Sequence, residues 1–165
     1  QTSGDPAIQE WQRITAGRQA MRAAGHRWFA MATAALVVAP FRKAHLLVSG
    51  VAVLLAWSGA LAPDRFEVIG GVHWIAHRTL THWLTGWLVV VGALFIAARR
   101  DALLIPLLGY CAGALSHALG DLPNPAGVPV LHPTKKVSLR LWHSGQYEFE
   151  MIAAMGAMAT LAWMI

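Results

Sequence analysis

The sequence predicts an all-α fold, a polytopic membrane helix bundle with about five membrane segments and an N-terminal interfacial helix. Two observations predict it. Of 165 residues, 56% are hydrophobic and 13% charged, with a mean hydropathy of +0.49, well outside the balance of a soluble domain. Apolar runs that cross or nearly cross a bilayer also recur along the chain, separated by short polar turns. Cys111 is the single cysteine, which excludes an intrachain disulfide and a thiolate-rich metal site. Metal ligands, if any, are then His and carboxylate. A net charge of +5 suits anionic lipid headgroups better than a nucleic-acid surface, so membrane lipids are the expected partners and nucleic acid is not.

Residues 1–25 place Ile8, Trp11, Ile14 and Met21 at roughly helical spacing among Arg13, Arg18 and Arg22, the pattern of an amphipathic helix lying in the interface. Residues 26–165 form the membrane domain. Trp28 to Phe41 is apolar but short, and it crosses only if His26 and Arg27 are drawn partly inward. Ala44 to Pro63, Thr79 to Ala98 and Ala102 to Gly120 are the three clear spans, and Phe149 to Ile165 is the fifth. Between the last two, residues 122–147 carry prolines and glycines that rule out a regular helix. That segment is expected to cap one mouth of the bundle.

Alternating five spans puts His26, Asp64, His77 with His82, His117 with Asp121, and Glu148 at one membrane depth, and the loop adds His132 and His143. The other side has only the tight turns Phe41-Arg42-Lys43 and Arg99-Arg100-Asp101, with His45 as its single histidine. Ionisable groups in a membrane are costly and persist mainly where they pair, line a cavity or bind an ion. His117 and Asp121 are four apart and share a helix face. His77 and His82 are about 140° apart on an ideal helix, so they share one centre only if His77 sits on the incoming loop. His73 and His77 become neighbours if the intervening turn is helical. Imidazole with carboxylate suits zinc, manganese or ferrous iron, with zinc the default for hydrolysis and one to three ions conceivable. His45 alone reads as an interfacial residue, Trp28, Trp74, Trp83, Trp87 and Trp142 as an aromatic belt, and Met151, Met155 and Met158 as packing.

The ordered blocks His26, "APD" (Asp64), "HRTLTHW" (His77, Arg78, Thr81, His82), "GALSHALGDL" (Ser116, His117, Asp121), "AGVPVLHP" and "SGQYEFE" resemble the YdjM-like family of predicted membrane-bound metal-dependent hydrolases. The resemblance spans about residues 26 to 150 and implies a bacterial-type inner membrane location. Two positions depart from the family pattern. Pro63-Asp64-Arg65-Phe66-Glu67 stands where PD-x-D is usual, with Glu67 a substitute for the second acid, and Trp83 stands where HS often follows the TH. The ligand order His26, Asp64, His82, His117, Asp121, His132, His143, Glu148 is also similar to that of zinc-dependent phospholipase C and related nucleases, an analogy of order alone.

Together these readings predict an integral membrane hydrolase that uses a divalent metal, most simply zinc, on a lipid or lipid-linked phosphoester. Asp64 or Asp121 would bridge ions or act as base, and Arg78 would steady an anionic oxygen. Peptide hydrolysis is disfavoured because a helical HExxH is missing. The alternative is a non-catalytic subunit of a membrane complex, in which the His/Asp cluster is a structural metal clamp. A metal or proton transporter fits less well, since the opposite half offers no matching polar path. Nine of the 13 Lys and Arg residues fall on the site side, which leans that face towards the cytoplasm.

Overall fold

The computed structural model describes residues 23–69, 71–141 and 146–165. The expected interfacial helix lies almost wholly outside the described residues. Helix α1 is Ala23–Val38, α2 is Leu46–Gly59, α3 is the single turn Ala62–Arg65, α4 is Leu84–Ala98, α5 is Ile105–Asp121 and α6 is Glu148–Met164. Prolines and caps set several boundaries. Pro40 lies in the 3-10 turn Ala39–Phe41 that ends α1, and Pro106 sits in the first turn of α5, where its missing N–H costs nothing. Asp101 caps the 3-10 turn Ala102–Leu104 by accepting from the Leu103 N–H at 2.9 Å.

Helix α5 is the centre of the bundle, packed on α1, α2 and α4, with α6 lying along α1. Its approach to α2 depends on small residues. A Cβ at Gly109 would overlap the Ala52 carbonyl, and one at Gly113 the Ala56 carbonyl. Ala30, Ala34, Ala56, Ala60 and Ala112 are fully buried where α1, α2 and α5 meet. Large side chains point the other way. Leu46, Leu47, Val51 and Leu54 on α2, and Leu88, Val89 and Ile96 on α4, are exposed. Small residues inside and large apolar ones outside is the packing of helices in lipid, where close backbone approach replaces a hydrophobic driving force.

By length and composition one described stretch, Ala102–Asp121, is able to cross a membrane; Leu46–Gly59 and Leu84–Ala98 are apolar but shorter. The expected span beginning at Thr79 loses its first turn because Leu80–His82 is a 3-10 turn and α4 starts at Leu84. The turn before it is not helical either. Val68–Ile69 (β1) pairs antiparallel with Val72–His73 (β2), with Gly71 at φ +80° completing the reversal. The proline-rich loop contains a second small hairpin, Val128–Pro129 (β3) with Lys136–Val137 (β4), so the described residues are helical with two short ribbons rather than purely α. The loop is pinned to both sides of the mouth. Leu139 N–H and Leu141 N–H bond the carbonyls of Leu122 and Pro123, the Thr85 hydroxyl bonds the Val130 carbonyl at 2.6 Å, and Lys136 Nζ reaches the His77 carbonyl at 3.1 Å.

Candidate metal centre

Five segments supply the site. Helix α1 brings His26, α3 brings Asp64, the turn after it Glu67, the loop before α4 His77, Arg78 and His82, and the last turn of α5 His117 and Asp121. Two sets of ligand atoms each lie within 4.8 Å of one another, Asp64, Glu67, His77 and His82 in one and His26, His117 and Asp121 in the other. The sets touch. His117 Nε2 is 3.6 Å from Asp64 Oδ1 and 3.3 Å from His82 Nε2, and the His26 ring stacks on His117 with centroids 4.1 Å apart.

The hydrogen bonds behind the histidines fix which nitrogen faces the centre. His117 Nδ1 is 2.6 Å from the Ala60 carbonyl, which only accepts, so Nδ1 carries the proton. His82 Nδ1 bonds the Thr81 hydroxyl oxygen at 3.2 Å, and that hydroxyl gives its own proton to Glu67 Oε1 at 2.6 Å, so Nδ1 is the donor here too. Both Nε2 atoms of the neutral rings therefore present lone pairs. They face each other at 3.3 Å, with Asp64 Oδ1 at 3.3 Å from one and 3.6 Å from the other. Three acceptors converging on one point repel unless a cation or proton lies among them. Ligands held about 2.0–2.1 Å from a tetrahedral ion are about 3.3–3.4 Å apart, so the triangle has the dimensions of one face of a metal shell. The residues present fit a divalent ion.

Glu67 organises the approach. Fully buried at 1% exposure, it accepts at Oε1 from the Thr81 hydroxyl (2.6 Å) and the Arg78 N–H (3.0 Å), and at Oε2 from His77 Nδ1 (2.6 Å). Backing a ligating histidine with a carboxylate in this way fixes ring orientation and raises basicity. Trp87 Nε1 braces the same turn by donating to the Thr81 carbonyl at 2.7 Å. Burial pushes the Glu67 carboxyl up, but the bonds from Thr81, His77 and the Arg78 N–H outweigh it and hold the group below its usual range. When the imidazoles are protonated, Asp64 behaves likewise. Burial raises it, and the His82 hydrogen bond with the charges of His117, His82 and His77 carries it down to about 2.

Asp121 is the last residue of α5, at the negative end of the helix dipole, where a carboxylate is disfavoured. Arg78 compensates it through Nη2 to Oδ1 at 3.0 Å, and the second oxygen lies 3.6 Å from His117 Nε2. The floor of the site is closed off from the surface, with His26, His82, His117 and Asp121 all buried. Its rim is open, with the side chains of His77 and Asp64 57% and 45% exposed.

The structure thus brings together His26, Asp64, His77, His82, His117, Asp121 and Arg78. His77 meets His82, ring centroids 5.2 Å apart, because it sits on the loop. Other expected residues are placed elsewhere. His132 is exposed, bonds Thr134 at 3.0 Å within its own Pro-containing turn and belongs to neither ligand set. Glu148 lies against Gly25 at the start of α6 and belongs to neither ligand set. His143 lies outside the described residues. The Ala60 carbonyl is the contributor sequence reading missed, and Thr81 stood in the block from His77 to His82 without a role assigned to it. No curated protein and no solved structure shows a match to this chain. A family model matches residues 21–165, however, and the blocks it covers are the ones that build the cluster, so the chain belongs to the YdjM inner membrane protein family.

Proposed function

We propose that this protein is an integral membrane, metal-dependent hydrolase that cleaves a phosphoester of a lipid or lipid-linked substrate, with its helices forming five short spans. The observation that carries the reading is the convergence of His82 Nε2, His117 Nε2 and Asp64 Oδ1 within 3.3–3.6 Å. His26, His77 and Asp121 stand beside it as further donors, and zinc is the ion that imidazole and carboxylate at these spacings favour. A divalent ion so held would supply an activated water and neutralise charge on the leaving oxygen. The chain's own residues do the rest. Asp64, half-exposed at the rim, is placed to take a proton from an incoming water, and Asp121, locked by Arg78, holds the inner wall. A structural clamp is the competing class, but closed structural sites need no solvent side, and the exposed His77 and Asp64 give this one an open rim. The outward apolar helices beside the site support a lipid phosphoester, whose scissile bond lies at headgroup depth.

The test is metal analysis of purified wild-type and His117→Ala protein, followed by hydrolysis assays on phospholipids and simple phosphoesters. Bound zinc near one or more per chain, lost in the variant together with turnover, is the expected result. A His117→Ala protein that keeps its full metal, or a metal-loaded wild type that cleaves no phosphoester, would falsify the proposal.

A further inference from the structure

The cation site has an anion site beside it. Among the described residues, seven buried side-chain polar atoms lack a hydrogen-bond partner, and four of them belong to this cluster: His26 Nδ1, Asp64 Oδ1, Arg78 Nε and Arg78 Nη1. Asp64 Oδ1 is explained by the converging lone pairs. The others include donors of a guanidinium that is only 14% exposed, and charged donors are the most costly groups to leave unmatched in an interior. Neutralising Asp121 accounts for Nη2 alone. The backbone of Arg78 is also held at φ +57°, in the left-handed region a bulky residue rarely enters, by its N–H bond to Glu67. Strain of this kind persists where the surrounding structure over-determines it for a purpose. His26, 6% exposed and stacked on His117, adds a polar atom without a partner to the same cluster.

Asp121 joins the two halves, with one oxygen on Arg78 and the other 3.6 Å from His117 Nε2. We infer that Arg78 binds the phosphoryl oxygens of the substrate while another oxygen of the same group faces the ion. A carbonyl offers one uncharged oxygen and leaves the guanidinium donors unmatched. A phosphate ester offers two or three charged ones, and arginine matches them better than lysine. The inference deepens the hydrolase reading and rests on it for the ion, but its measurement needs no turnover.

Zinc-loaded full-length protein in phosphatidylcholine nanodiscs is titrated with inorganic phosphate, in wild type, Arg78→Gln and Arg78→Lys, with zinc content and thermal midpoint read in parallel. Phosphate binding weakened at least about tenfold in Arg78→Gln and partly retained in Arg78→Lys, with zinc unchanged, is the expected result. Phosphatidate added to the discs is the second arm. Competition at lower concentration than inorganic phosphate identifies a lipid source, equal or weaker competition a soluble ester, and both support the phosphoryl site. Wild-type protein that binds neither probe overturns the inference, as does Arg78→Gln binding like wild type. Loss of zinc in both variants also overturns it, because Arg78 would then serve only to hold Asp121. Zinc-loaded protein that binds phosphate through Arg78 but cleaves nothing overturns hydrolysis alone.

Discussion

The proton on His117 Nδ1 is dictated by one backbone carbonyl, that of Ala60, and the proton on His82 Nδ1 by the Thr81 hydroxyl that Glu67 orients. These contacts decide that the cluster is a set of lone pairs rather than a hydrogen-bonded network. The expected consequences differ by residue. His82→Ala and His117→Ala each remove one corner of the triangle and should abolish stoichiometric zinc. Glu67→Gln leaves all three corners, but one amide oxygen cannot serve the three donors now on the carboxylate, so zinc affinity should fall about 10–100-fold without loss of the site. Isothermal titration with zinc checks both, and an unchanged affinity in Glu67→Gln would remove its orienting role. His26, His82, His117 and Asp121 were legible from the sequence because each stands near the end of an apolar run, where an ionisable group needs a partner. Glu67 was legible only as a substitute acid. Its task depends on a tight turn and a left-handed Arg78, and neither leaves a periodic signal.

Helices α2 and α5 approach closely because Gly109 and Gly113 meet the carbonyls of Ala52 and Ala56. Gly113→Leu should therefore force the helices apart and move His117, one turn further along α5, away from Asp64 and His82. A loss of about 2–4 kcal/mol is expected, in the range of overpacking with backbone shift, together with weakened zinc binding. Gly92→Ala on α4 is the control. Nothing lies within 4 Å of a Cβ there, so it should be neutral or stabilise by about 0.5–1 kcal/mol. Unfolding in detergent separates the two, and equal stability of both variants would dismiss the close-packing account. The helix positions themselves were readable from apolar runs, but the ribbons β1–β2 and β3–β4 were not. Two-residue strands carry no alternation to detect, and the second ribbon is specified by where the loop finds partners on Leu122, Pro123 and Thr85. His132 was drawn to the site by its place in that loop, yet its side chain turns to Thr134. His132→Ala should keep full zinc content.

At the scale of the whole molecule, membrane orientation is a prediction. Lys135, Lys136 and Arg140 are exposed on the loop at the mouth of the site, and the positive-inside rule then predicts a cytoplasmic site. The opposite turns carry Arg42, Lys43, Arg99 and Arg100, which makes labelling the arbiter. With Cys111 replaced by alanine, a cysteine at position 42 should react with an impermeant reagent in spheroplasts and one at position 135 only after lysis; the reverse pattern inverts the molecule. The same end governs stability. The ion would tie α1, α3, the loop before α4 and the end of α5 at a point where three acceptors otherwise crowd within 3.6 Å. A ligand bound to the folded chain alone adds RT ln(1 + [L]/Kd), about 4 kcal/mol at a thousandfold excess over Kd. Chelation should then lower the thermal midpoint by several degrees in detergent, and zinc should restore it. His117→Ala should show neither effect and sit near the chelated wild type. A midpoint indifferent to chelator in protein shown to have carried zinc would mean that the helices hold this geometry without the ion, and that the cluster is preorganised by Glu67 and the Ala60 carbonyl alone.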